Sequence, residues 1–163
     1  MEPRLPSHSR SFENRPPPTR EAVEAALRPF FASRSEVRLA YLFGSVASGG
    51  AGPLSDVDVA VLVDREALAD RSGFGYEATL VADLMDALRF PKVEAAVLNR
   101  APAHLRFNVV RDGVLLFERE PGEAIRFRVE ALRDHFDFEP MRRVQNRYLR
   151  EWLGLPPEPD RPR

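Results

Sequence analysis

There is no cysteine in the 163 residues. That excludes disulfides and thiolate metal sites. No apolar run approaches the roughly 20 residues of a membrane-spanning helix. The N-terminal stretch has no apolar core of the signal-peptide kind. A cytoplasmic protein without a membrane partner is the expectation. Neither sign of charge is in excess: 24 basic residues face 25 acidic ones, for a net charge of −1. Nothing there argues for direct binding of long nucleic acid. Histidine is scarce too, at three residues. His8, His104 and His135 have no histidine or cysteine four residues on, so each reads as a surface residue.

What is present is an ordinary balance, 44% hydrophobic and 30% charged. The length fits one domain with a modest core. No internal repeat is visible. Residues 1–18 carry five prolines, ending in Pro16-Pro17-Pro18, and read as a disordered lead. Thr19 is a natural N-cap for a helix closing near Ser33, with Val23, Ala26, Leu27, Phe30 and Phe31 at helical spacing. Val37 to Phe43 is mostly apolar, as a buried strand is. Val46 to Pro53 is a loop of small residues, and Asp56 to Val63 a second strand. Asp64 to Ser72 is polar, with at most a short helical turn, and Gly73 and Gly75 interrupt it. Leu80, Val81, Leu84, Met85 and Leu88 mark a helix that Pro91 ends, with Asp83 and Asp86 on its other face. Val93 to Asn99 is a third strand.

Pro102 to Asp112 is a short helix with Leu105 and Val109 facing in, and Gly113 caps it. Val114 to Phe117 is a fourth strand. Pro121 opens a helix whose stripe is Ile125, Val129, Leu132 and Phe136, with Arg126 and Glu130 paired outside. Pro140 opens another, with Met141, Val144, Tyr148 and Trp152 in line. The arginines 142, 143, 147 and 150 read as a solvated face or, with Tyr148 and Trp152, as a docking face. Arg106 and Arg111 read as surface residues.

The chemistry concentrates in one stretch. The first strand stops at Gly44-Ser45, and ten residues later comes Asp56-Val57-Asp58. On a strand, residues i and i+2 project from one face, so Val57 and Val59 point into the core while the aspartates stand together. Neighbouring carboxylates repel each other unless a divalent cation sits between them. The Gly-Ser turn offers backbone N–H groups and a hydroxyl, which suit phosphate oxygens. Carboxylate-held Mg²⁺ with phosphate is the apparatus of phosphoryl or nucleotidyl transfer. Glu94, alone in an apolar strand, either needs a partner or stands solvated at a strand end.

Gly44-Ser45, ten residues, Asp56-x-Asp58 resembles the signature of the DNA polymerase β-like nucleotidyltransferase superfamily. Over residues 20 to 150 the chain resembles its minimal nucleotidyltransferases (MNT), antitoxins paired with HEPN-domain toxins. The resemblance implies an α/β fold: a small mixed β-sheet with flanking helices, mainly on one face, and a C-terminal helical pair. It places a nucleotidyltransferase domain at 19–154, followed by a flexible tail at 155–163. It implies transfer of AMP from ATP to a hydroxyl, a tyrosine of a partner HEPN toxin, by a two-metal mechanism with two Mg²⁺ ions. Asp56, Asp58 and Glu94 are then the metal-binding and catalytic residues, and Gly44, Ser45 and Ser55 bind the nucleotide. Two departures stand out. The family usually has aspartate where Glu94 stands, although some aminoglycoside-modifying relatives have glutamate, and no basic residue lies near Ser48. The first favours a small-molecule nucleotidyltransferase as an alternative; the second favours a non-catalytic binding antitoxin.

Overall fold

The computed structural model describes residues 15–69 and 75–156, except for the side chains of 138–143, 145–146 and 149–150. The first helix, α1, spans Arg20–Ala32, and Thr19 caps it by accepting a hydrogen bond from the Ala22 N–H at 3.3 Å. Ser33 closes it, as the sequence predicts. Its Val23, Leu27 and Phe31, at i, i+4 and i+8, are buried. The first strand, β1, spans Val37–Phe43 and runs straight into a short helix, α2, Gly44–Ser48. A loop was expected from Val46 onward. The chain instead coils there because Val46 and Ala47 bury their side chains in the core. Gly49 ends the turn at φ 76°, a left-handed conformation that glycine adopts without penalty.

The second strand, β2, covers Val57–Val63, one residue shorter than expected, and a 3₁₀ turn follows at Arg65–Ala69. Helix α3 is Gly75–Leu88 and strand β3 is Val93–Val97. The expected strand to Asn99 stops early. Asn99 turns its side-chain amide onto Val63, accepting from its N–H at 3.0 Å and donating to its carbonyl at 2.8 Å. The side chain takes the next backbone rung, so the main chain is free to turn. Helix α4 is Ala103–Asp112, strand β4 is Val114–Glu118, and helix α5 is Glu123–Trp152. Gly113 closes α4 as expected, because a Cβ there would collide with the Val109 carbonyl.

The strands form one mixed sheet in the order β3-β2-β1-β4, with β2 and β3 parallel and both other pairings antiparallel. Helices cover both faces, rather than mainly one. Alternation along the central strands feeds two cores. Val57, Val59, Val61 and Val63 of β2 meet α1 and α3. Ala60 of β2 and Leu39 and Tyr41 of β1 meet α4 and α5 through Val109, Phe127 and Ala131.

The C-terminal helical pair is overturned. The backbone of α5 is one helix of 30 residues, continuous through Pro140. A proline removes one rung of the ladder. Strong helix formers on both sides and no glycine between 123 and 152 carry the helix across. The expected inward stripe is also reversed. Phe127 and Ala131 face the core, while Ile125, Val129 and Phe136 are 70%, 61% and 57% exposed. The buried face wins because it also seats Glu123 against Arg38 and Asp134 against Arg106. Glu130 lies 3.3 Å from Arg106, and Arg126 lies 3.9 Å from Glu120, so the expected pair between them does not form. Arg106 is therefore a strut between α4 and α5, and Arg111 pairs with its neighbour Asp112. His135 is no bare surface residue: its ring stacks on Phe107 at 3.9 Å. His8, residues 1–14, 70–74 and 157–163, and the side chains of Met141, Arg142, Arg143 and Arg150 lie outside the described residues. No helix among the described residues is long and apolar enough to cross a membrane.

Candidate active site

The parallel pairing of β2 with β3 builds the site. Its register sets Val57 beside Val93 and Asp58 beside Glu94. On the other side of β2, Asp58 stands opposite Phe43, the last residue of β1. Asp58 thus lies in the middle of three strands, at the end of the sheet where β1 turns into α2. Alternation puts it on the same face as Ala60, the α4/α5 side. Asp56 precedes β2 by one residue, two positions from Asp58. The three sequence-predicted carboxylates come together at this corner.

Burial first, and then the carboxylates of Glu94 and Asp56, raise the Asp58 carboxyl above its ordinary range. No arginine or histidine among the described residues pairs with Asp56, Asp58 or Glu94. Glu94 itself is exposed on an edge strand, so solvent bears part of its charge. Its claim to the site comes from its register opposite Asp58.

Gly44 closes the corner from the β1 side. It sits at φ 74°, and a Cβ built on it would collide with the Asp58 Oδ2. Backbone and carboxylate therefore approach more closely than any side chain at 44 would allow. Ser45 follows, half-buried, with its carbonyl accepting from the Gly50 N–H at 2.9 Å. Ser55 has a structural duty: its Oγ accepts from the Gly52 N–H at 2.9 Å and staples the loop before Asp56. The far end of α2 borders an open cavity of about 560 Å³ walled on its other side by Pro16, Pro17 and Pro18, and none of the three carboxylates lines it.

The donor set fits a hard divalent cation, which takes carboxylate oxygens. Among the described residues, no three acidic or histidine side chains already stand in a metal-holding arrangement. The register brings donors of the right kind to this corner, with Asp58 beside Glu94 and Asp56 two positions before Asp58.

One residue beside them escaped the sequence reading. Lys92 lies directly before β3, and its carbonyl accepts from the Val57 N–H at 2.9 Å. The available signal was composition: it is the only lysine among 24 basic residues.

The family model described as "Polymerase beta, Nucleotidyltransferase" matches residues 26–122. That span holds the whole corner. Among curated proteins no match is found. Several solved structures share the fold. A toxin–antitoxin complex with AMP-PNP matches at 24% identity and TM-score 0.64, over 77% of this chain and 97% of that one. A tri-AMPylated Shewanella oneidensis HEPN toxin in complex with MNT antitoxin matches at 22% identity and TM-score 0.58, over 79% and 96%. A third, the MntA–HepT toxin–antitoxin, matches at 21% and 0.59, over 80% and 98%. With the family model covering more than half its length, this chain belongs to the polymerase β nucleotidyltransferase family.

Proposed function

We propose that this chain is an antitoxin of the MNT type that transfers AMP from ATP to a tyrosine hydroxyl of a partner HEPN toxin. The observation that carries the reading is the corner itself: Asp56, Asp58 and Glu94 on adjacent rungs, with the Gly44 backbone against Asp58. Its support from outside the chain is the likeness in fold to antitoxins solved with HEPN toxins, one of them AMPylated.

Asp56, Asp58 and Glu94 are the residues that would hold two Mg²⁺ ions, which when bound supply the charge that stabilises the attacking and leaving oxygens. Gly44 and Ser45 orient the β- and γ-phosphates through backbone N–H groups and the hydroxyl. Glu94, exposed at the edge of the corner, faces the incoming acceptor and helps take its proton. The hydroxyl oxygen attacks the α-phosphorus and forms the new O–P bond. The bond from that phosphorus to the β-phosphate oxygen breaks, and pyrophosphate leaves with the electron pair. AMP on the toxin adds negative charge and bulk near its RNA-cleaving site, which blocks cleavage.

The test is product analysis with α-labelled ATP and the co-expressed partner, with Asp56→Asn as the control. Label on a partner tyrosine, lost in Asp56→Asn, supports the reading. Label on a small molecule would make the chain a small-molecule nucleotidyltransferase. Toxin neutralised equally by wild type and Asp56→Asn, with no label anywhere, would make it a binding antitoxin.

A further inference from the structure

We propose that Lys92 grips the phosphate tail of the nucleotide and supplies the cation that the glycine-rich turn lacks. The inference rests on the nucleotidyl-transfer reading of the same corner. It starts from scarcity. The chain uses arginine for 23 of its 24 basic residues and lysine once. That one lysine stands next to the candidate site.

Its placement follows from the ladder. The hydrogen bond from Val57 N–H to Lys92 O extends the β2–β3 pairing by one rung, which sets Lys92 beside Asp56. Side chains alternate along a strand, so Lys92 shares a face with Glu94, and Asp56 with Asp58. Four charged residues thus occupy two neighbouring rungs of one face, about 4.8 Å apart across the strands.

Elsewhere in the fold, several arginines pair with acids. Arg34 bonds Asp83, Arg38 bonds Glu123, Arg106 bonds Asp134 and Arg119 bonds Asp64. Lys92, set beside Asp56 by the register, makes no ion pair or side-chain hydrogen bond among the described residues. An ammonium without an ion-pair partner is available to a ligand.

The ligand's chemistry is set by what the corner lacks. Between Gly44 and Asp56 there is no lysine or arginine. A triphosphate brought against three carboxylates needs positive charge beyond what divalent cations share with those acids. The choice of lysine over arginine also follows. A guanidinium forms a bidentate fork with a carboxylate and would occupy both oxygens of Asp56. An ammonium is a compact charge on a flexible stem and reaches a phosphate oxygen while leaving the carboxylate open.

A single lysine also makes the experiment clean, because a lysine-directed acylating reagent has one side-chain target in this chain. Modification of Lys92, followed by peptide mass spectrometry, is expected to slow when ATP and Mg²⁺ are present and to be unaffected by adenosine. Lys92→Met is expected to weaken ATP binding about ten- to a hundred-fold, the worth of one charge-assisted hydrogen bond. It should leave adenosine binding unchanged, and Lys92→Arg should recover only part of the loss. Unprotected Lys92 in a wild-type protein that still transfers AMP overturns the inference and leaves the proposed function standing. ATP protection of Lys92 in a protein that transfers nothing does the reverse. A Lys92→Met variant with a lower metal-free melting temperature but an unchanged ATP-to-adenosine affinity ratio makes the residue structural and also overturns the inference.

Discussion

Strand β2 carries acid at both ends, and the fold treats the two ends differently. At its C-terminal end, Asp64 is bonded by Arg119 at 2.8 Å and lies 4.0 Å from Arg38, which in turn bonds the buried Glu123 of α5. Every acid in that group has an arginine. At the other end, Asp56, Asp58 and the adjacent Glu94 have none among the described residues, and Asp58 feels its neighbours as repulsion. With basic and acidic residues almost equal in number, the imbalance is local rather than global. Matched acids fix the position of α5 and β4 on the sheet. Unmatched acids cost stability and persist where a ligand completes them.

The sharpest way to break this contrast is Asp58→Asn. Transfer should fall by about 100-fold or more, and Mg²⁺ should no longer raise the melting temperature. Stability should move the other way. In the folded state Asp58 holds its proton above the ordinary range, so its own contribution to metal-free stability is largest at acidic pH and is lost as pH rises through that raised value. Asparagine removes this loss. Calorimetry of the metal-free proteins should give equal melting temperatures at low pH and an equal or higher one for Asp58→Asn at neutral pH. A large fall at neutral pH would put Asp58 among the matched, structural acids.

Next in size is Glu94→Gln. In its proposed role on the incoming hydroxyl, loss of the Glu94 charge should drop turnover by about 100-fold, while the affinity for ATP with Mg²⁺ barely changes, the mark of an interaction made late in the reaction. Glu94→Asp should retain part of the activity. Steady-state kinetics beside equilibrium binding separate the two quantities, and near-normal turnover in Glu94→Gln would take the residue out of the site.

At the matched end the expected effect is on stability alone. Arg38→Met leaves Glu123 buried without its partner. Breaking a fully buried pair costs about 3–5 kcal/mol; with Arg38 itself 42% exposed, about 2–3 kcal/mol is expected from urea unfolding. Transfer per folded molecule should stay at the wild-type level. A loss of activity larger than the loss of folded protein would mean that the two ends of β2 are coupled.

The smallest effect lies in alkali. Burial first, then the Glu118 carboxylate, push the Tyr41 hydroxyl up to about 12. Burial and Glu36 raise Tyr76 as well. A raised folded-state value means that stability is intact below about pH 10 and falls as pH rises toward 12. Tyr41→Phe should flatten that fall in a pH series of unfolding midpoints.

Much of this corner was legible before any coordinates. The residues of β1, the Thr19 cap, the Ser33 end and the Gly113 stop all follow from local rules: apolar runs, capping hydroxyls and small-residue stops. The Gly44-Ser45 turn and the Asp56-x-Asp58 pair stand out by their spacing, while the close approach of Gly44 to Asp58 comes from the fold. The illegible parts depend on competition between distant groups. Nothing local says that α5 buries Phe127 and Ala131 rather than Ile125 and Val129, since both stripes are apolar. The choice lies in Arg38 and Arg106, which wait on other elements for Glu123 and Asp134. Pro140 misled for the same reason, because a single breaker is weighed against the whole helix around it. Asn99 looks like one more strand residue until its amide is seen to replace the backbone rung. Lys92 was visible as a count and invisible as a position, because only the parallel register brings it beside Asp56.

The outer position of β3 has a consequence for how the protein behaves in a crowded solution. A five-residue strand reading Val-Glu-Ala-Ala-Val, with no strand beyond it among the described residues, is the kind of edge on which copies of a chain pair and precipitate. Two acids blunt it. Glu77 reaches over from α3 to accept the Val97 N–H at 3.4 Å, which removes one free donor from the edge. Glu94, the second of its five residues, puts the strand's only charge on what would otherwise be an apolar ribbon. The residue assigned to chemistry is therefore also a guard against self-association, and an apolar replacement at position 94 would lower solubility as well as turnover.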